Sequence, residues 1–260
     1  MHQPFNEKKL EKSQVSTIGI CHNCGQEHNL PATPAQYIAQ QLIQTLEQTG
    51  RVDFSVPRLH ARSQYAVDSL WGPARGKMFG ILIAQTPTGK EIHLRAFSGQ
   101  YNGCWQVPGW VNPVFDLKTF YTIHDQEEDE IKQLSKKIET LLPASKKRQE
   151  LIWIRKKKSQ QLMRNIHQLY QLRNFQGQVA SLEQVFASGP DKKGLPPTGT
   201  GDCCAPKLLQ HAALHGFIPI SLAEFYFGKE NASGTRQHRN FYPSCRTKCY
   251  PILGFMLCGL

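Results

Sequence analysis

Two short stretches carry the residue types best suited to hold a metal: Gly199-Thr200-Gly201-Asp202-Cys203-Cys204-Ala205-Pro206-Lys207-Leu208-Leu209 and Tyr242-Pro243-Ser244-Cys245-Arg246-Thr247-Lys248-Cys249. Four of the eight cysteines lie there. A thiol ligates a metal as its thiolate, and a helix N-terminus stabilises that anion. Each stretch sits near the start of an expected helix, so Cys203, Cys204, Cys245 and Cys249 are expected to converge on one tetrahedral zinc. The plainer alternative makes Cys203 and Cys204 small buried hydrophobes and Cys245 and Cys249 unrelated thiols. Asp202 and Glu224 are the carboxylates available for proton transfer beside such a metal, although no motif ties either of them to it.

A second constellation, Cys21-His22-Asn23-Cys24-Gly25 followed by His28, has the outline of half a zinc knuckle. The nearby sequence offers no clear fourth ligand. Ordinary reduced thiols in a loop are therefore the favoured reading of Cys21 and Cys24.

The elements that must position these groups follow from punctuation and periodicity. Thr33 as N-cap, Pro34 at the first helical position, Ile38, Leu42, Ile43 and Leu46 on one face and Gly50 beyond the end predict a helix packed on a sheet. The apolar run Met78 to Ala84, the turn Thr86-Pro87-Thr88-Gly89 and the run Ile92 to Phe97 predict a β-hairpin whose first strand is covered on both faces. Ile131, Leu134, Ile138 and Leu141, then Leu151, Ile154, Leu162, Ile166 and Leu169, with Pro143-Ala144-Ser145 between them, predict two long antiparallel helices over 126–175. Pro206 opens a helix that Gly216 stops, and Ile218 to Gly228 reads as a strand. The expected organisation is an N-terminal segment over 1–32, with frayed first residues, and an α/β domain over 33–260, a mixed sheet with flanking helices, interrupted by the helical hairpin of 126–175. A loop from Ser188 through Gly199 delivers the chain to the first cysteine pair.

Composition bounds the partners. With 260 residues, 40% of them hydrophobic, the chain can bury a full core. No leader-like start and no apolar span of membrane length point to a soluble, reducing, cytoplasmic setting with no membrane partner. A formal net charge of +11 favours a polyanion, RNA or DNA. Lys146, Lys147, Arg148, Arg155, Lys156, Lys157 and Lys158 cluster at the tip and flank of the helical arm, where they can hold phosphates. Tyr101, Trp105 and Trp110 lie in a Gly-rich loop and can stack on bases, with Gln100, Asn102 and Gln106 beside them. A solvated helix face and a plug for the mouth of the sheet are the plainer readings of these two features.

The order of helix, hairpin, arm, Cys-bearing helix, strand and second Cys-bearing segment resembles the zinc nucleobase-deaminase fold. Two departures stand against the activity that fold implies. No glutamate follows the first cysteines at the position of the family's proton shuttle, and Pro-Cys-x-x-Cys is stretched to Pro243-Ser244-Cys245-Arg246-Thr247-Lys248-Cys249. A resemblance covering most of the chain rests on Ala96-Phe97-Ser98-Gly99-Gln100-Tyr101-Asn102-Gly103, Val107-Pro108-Gly109-Trp110, Gly199 to Leu209, Leu222-Ala223-Glu224-Phe225-Tyr226-Phe227-Gly228, and Phe241-Tyr242-Pro243 through Leu253. These phrases look like the long N-terminal region of certain RluA-type RNA pseudouridine synthases. That likeness implies an accessory region that binds RNA, ribosomal or transfer, and leaves isomerisation to a synthase domain elsewhere. The family's His-Arg-Leu-Asp type motif is not found: His238-Arg239 is followed by Asn240-Phe241, so no catalytic aspartate is assigned. The apolar ending Ile252 to Leu260 fits a stand-alone or truncated product. The expected function is RNA binding; a zinc-dependent deaminase-like enzyme and a protein-docking module are the alternatives, and an arm of this kind can also join two copies.

Overall fold

The computed structural model describes residues 16–188 and 195–260. The frayed start expected up to Ser16, all but Ser16 itself, and 189–194 of the loop leading to Cys203 lie outside the described residues. In chain order, β1 (Ser16–Ile20) and β2 (Glu27–Pro31) form an antiparallel hairpin, and α1 (Thr33–Thr49) follows. Thr33 is the first helical residue rather than the cap, which is Ala32; the Ala35 amide finds its acceptor in Ser221 Oγ, 3.0 Å away. Gly50 ends α1 in the left-handed conformation at φ 68°, as its position predicts.

The central hairpin of β3 (Lys77–Gln85) and β4 (Glu91–Phe97) forms where the two apolar runs place it. After it come α2 (Leu117–Glu139), α3 (Lys146–Gln168), the short pair β5 (Gln171–Arg173) and β6 (Val179–Ser181), and α4 (Leu182–Ala187). The chain closes with α5 (Cys204–His215), β7 (Ile218–Phe227), β8 (Phe241–Tyr242) and α6 (Tyr250–Leu257).

The main sheet has the order β4-β3-β7-β8, and every neighbouring pair in it is antiparallel. A mixed sheet was the expectation; β8 instead turns back along β7 because the connection over 228–240 forms no helix to carry a crossover. Alternation in β3 divides the core between two faces. Phe79, Ile81 and Ile83 join one cluster with Ala39, Leu42 and Leu46 of α1, while Leu82 and Ala84 join the other with Leu208 and Leu209 of α5. Both faces of β3 are thus covered. Gly80 permits the approach of α5, since a Cβ there would lie 2.7 Å from the Cys204 Cβ.

The helices α2 and α3, 23 residues each, pack on one another. The first begins at Leu117, upstream of the expected start, because the Asp116 carboxylate accepts the Thr119 amide and Phe120 is buried against Trp105 and Phe115. The second is capped by Ser145, which accepts the Arg148 amide, and ends at Gln168 so that 171–173 can pair as a strand. Polar contacts also join the two helices, Asn165 to Glu127 and Lys158 to Glu130.

Residues 16–31 of the expected N-terminal segment lie against α6. Their contact is backbone on backbone: a Cβ on Gly19 would fall 2.1 Å from the Gly254 nitrogen, and one on Gly254 would fall 2.1 Å from the Ile20 carbonyl carbon. The side chains of α6 from Pro251 to Leu257 are all buried, so it is a core helix.

Candidate metal centre and nucleic-acid interface

The starts of α5 and α6 bring three of the expected ligands together. Cys203 is the N-cap residue of α5, Cys249 that of α6, and Cys245 sits in the turn before α6, where its carbonyl accepts the Tyr250 amide at 2.9 Å. The sulfur atoms of Cys203, Cys245 and Cys249 lie within 4.8 Å of one another. Neither Cys203 nor Cys249 uses its side chain to cap its helix, so both thiols are directed to the cluster.

Three thiols at this distance cannot all ionise without a cation. The Cys245 thiol is pulled below the usual range, first by Cys203 and then by Cys249. Cys203 is raised well above its ordinary value by its bond to Cys245. Cys249, which its bond to Cys203 would lower, is raised on balance by its bond to Cys245 and by burial. A divalent soft cation would replace this shared proton arrangement by three thiolate bonds, the donor chemistry that zinc prefers. Two helix N-termini face the same point and favour the added negative charge.

Cys204 is not part of the group, a correction to the expected four-thiol set. It is the first residue of α5 and points to the opposite side of that turn, into the sheet. There its buried sulfur donates to the Met78 carbonyl at 3.5 Å, above Gly80, and burial pushes its thiol well up. Adjacent residues at a helix start diverge by about 100° around the axis, which is why only one of the pair reaches the metal side.

Both candidate carboxyls are engaged, Glu224 buried and Asp202 half-buried. Asp202 accepts the Tyr170 hydroxyl at 2.6 Å, and burial raises its carboxyl while that bond lowers it. Glu224, in the middle of β7, accepts the Ser244 hydroxyl at 2.8 Å. Burial is the main reason its carboxyl is pushed up to about 7.

The aromatic residues of the Gly-rich loop face inward. Tyr101 is fully buried and donates to the Ala66 carbonyl at 2.8 Å; Trp110 donates to the Val52 carbonyl at 2.8 Å. Trp105 packs edge-on against Phe115 and Phe120. None of these rings offers a free face in this conformation. Asn102 and Gln106 are likewise taken up, by Gln64 and Ser69 and by Asn112.

The cations of α3 lie outside. Lys146, Lys147, Lys156, Lys157 and Lys158 are exposed, Arg148 and Arg155 half-buried. Lys158 is paired with Glu130; among the described residues Lys146, Lys147, Lys156 and Lys157 form no ion pair. Trp153, which the sequence reading passed over, is 60% exposed, and Lys157 Nζ stands 5.6 Å from its ring centroid. Lys146, Trp153, Lys156 and Lys157 follow helical spacing and share one face of α3, and Glu150 is the single carboxylate in that helix. A tryptophan spaced three and four residues from lysines, on a helix whose apolar positions are already assigned, was the available signal. No helix among the described residues is long and apolar enough to cross a membrane.

Comparison with family models, with curated proteins and with solved structures returns no match to this chain.

Proposed function

We propose that the chain is an RNA-binding accessory region whose main contact is the exposed face of α3, carried on a zinc-holding α/β domain of deaminase-like layout. One observation carries the reading: Lys146, Lys147, Lys156 and Lys157 are solvent-facing and form no ion pair among the described residues, and Lys157 stands over the exposed Trp153. Cations without partners bind phosphates and release counterions, and an exposed indole flanked by ammonium groups is a stacking platform for an unpaired base. Within this reading α2 and α3 form an antiparallel arm inserted between the hairpin and α5. The RluA-type resemblance makes ribosomal or transfer RNA the class of partner, with uridine isomerisation left to a separate synthase domain.

The test is RNA affinity against salt. Changing Lys146, Lys147, Lys156 and Lys157 to Gln should flatten the slope of log K against log salt by about 3, at roughly 0.7 per phosphate contact for single strands. Trp153→Ala should weaken binding by roughly tenfold or more with the slope unchanged, because stacking carries no counterions. A wild-type slope in the lysine variant removes α3 from the interface. Capture of a protein by the arm, with no RNA affinity at low salt, favours the docking alternative.

A second reading, a zinc-dependent deaminase-like hydrolase, is favoured by the three thiols at the starts of α5 and α6. Three protein ligands leave one position of a tetrahedral zinc open, the arrangement of catalytic rather than structural sites. When bound, zinc would activate a water there; Cys203, Cys245 and Cys249 would hold it. The weakness lies in the proton shuttle, because Asp202 and Glu224 are both held by internal hydrogen bonds. Cys245→Ser is expected to lose one zinc per chain by elemental analysis, whichever reading holds. Turnover of a free or RNA-embedded base that Glu224→Gln or Asp202→Ala abolishes, with zinc retained, would replace the RNA-binding conclusion by the enzyme.

A further inference from the structure

Cys21 follows β1, Cys24 lies in the turn, His28 is in β2, and Cys258 is the C-cap residue of α6. Their ligand atoms lie within 4.8 Å of one another. The fourth ligand that the local sequence lacked is thus supplied from the far end of the chain. We infer that Cys21, Cys24, His28 and Cys258 form a second, structural zinc site that fastens the β1-β2 turn to the end of α6.

The distances have the scale of a tetrahedron. With Zn–S near 2.3 Å and Zn–N near 2.0 Å, the edges of such a site are about 3.8 Å between sulfurs and about 3.6 Å between sulfur and nitrogen. Cys24 Sγ lies 3.7 Å from Cys258 Sγ and 3.2 Å from His28 Nε2. A disulfide would need sulfurs about 2.05 Å apart, so the Cys24–Cys258 separation fits shared coordination of an ion between them.

The backbone holds the turn in the shape this requires. The Gly25 amide donates to the Cys21 carbonyl and the Cys21 amide to the Gln26 carbonyl, both at 2.8 Å, with Gly25 at φ 71°. This tight loop presents both Cys21 and Cys24 to one point, and a residue with a side chain would be strained at Gly25. The Gly19–Gly254 contact then sets the distance to the fourth ligand. Cys258 lies four residues beyond Gly254, one helical turn along the same side of the chain, and so arrives beside Cys21.

The site differs in kind from the trio of Cys203, Cys245 and Cys249. Four protein ligands close the coordination shell and leave no place for substrate. Cys24 is exposed and His28 half-buried, giving the ion a path in, while Cys21 and Cys258 are buried.

The full chain, prepared under reducing conditions, is weighed by native and by denaturing mass spectrometry. Wild type should carry two zinc ions, Cys258→Ser one, and Cys245→Ser one, with the two losses independent. Because Cys258 is buried, a second pair of variants at the half-buried His28 guards against a folding defect. His28→Ala should yield its zinc to a competing chelator at about 100-fold lower chelator concentration or less, a loss larger than removing an outer-shell partner, and His28→Cys should restore retention. Cobalt in the Cys245→Ser variant should show the visible bands of a tetrahedral thiolate site, and lose them in the Cys245→Ser, Cys258→Ser double variant. A chain about 2 Da light without zinc, showing a disulfide, or zinc retention in His28→Ala equal to wild type, overturns the site.

Discussion

Gly254→Ala should lower the thermal midpoint by roughly 10 °C. Overpacking commonly costs 1–3 kcal/mol, and about 3 kcal/mol corresponds to a shift of this order for a protein of this size. The upper end applies because the added carbon would meet the Ile20 carbonyl group and the Cys21 nitrogen, backbone atoms that cannot rotate aside. Gly254 has ordinary helical geometry, so the loss comes from contact and not from φ. Differential scanning calorimetry decides the matter; a midpoint within about 2 °C of wild type would show that β1 does not lie on α6. Gly89→Ala is the control at a glycine with no atoms within 4 Å of its Cβ position, where only the positive φ of 81° acts.

Lys207→Ala should cost about 3 kcal/mol or more at neutral pH. The Lys207 ammonium is almost wholly buried, donating to the Phe97 carbonyl at 2.9 Å and the Gly99 carbonyl at 2.7 Å, with the rings of Phe97 and Trp105 beside it. Truncation leaves both carbonyls unpaired and opens a cavity between α5 and the loop that begins at Ser98. Lys207→Met keeps the volume and should recover part of the loss. Burial, partly offset by Asp202, lowers the ammonium from its ordinary 10.5 to about 8. The unfolded chain therefore binds more protons between those values, and the stabilising contribution, full above 10.5, is lost as the pH falls through 8. Urea denaturation of wild type and Lys207→Met across pH 7.5–10 should show the difference between them shift in favour of wild type as the pH rises. A flat difference would place the ammonium in water.

The same lysine shows where sequence reading stops. Within Cys-Cys-Ala-Pro-Lys-Leu-Leu the proline and the later Gly216 mark the ends of α5, because capping is a local property of the backbone. Which side of α5 meets the sheet depends on Gly80, far away in the chain, and so Cys204 and Lys207 turn inward while Cys203 stays with Cys245 and Cys249. The helix from Thr33 to Gly50 and the β3-β4 hairpin were legible for the same local reason, in period and punctuation. Cys258 was not legible as a partner of Cys21: the two are 237 positions apart and only the Gly19–Gly254 approach brings them together. Tyr101, Trp105 and Trp110 carry the composition of a base-binding loop, yet their hydrogen bonds and ring contacts commit them to the core. Trp153 is the reverse case, an apolar residue in a helical pattern left outside by the packing of α2 on α3.

The Gly19–Gly254 seam also fixes an order of events during synthesis. A strand that packs on a helix some 235 residues later cannot settle fully when it leaves the ribosome, because that contact awaits the last helix. Ile18 and Ile20 therefore travel uncovered while the central sheet forms. Joining them to α6 closes a loop of some 235 residues, a step whose entropic cost the intervening folded domain largely removes. A nascent chain halted before Tyr250 should thus hold its β3-β4 hairpin and α1 but leave the first hairpin open to protease.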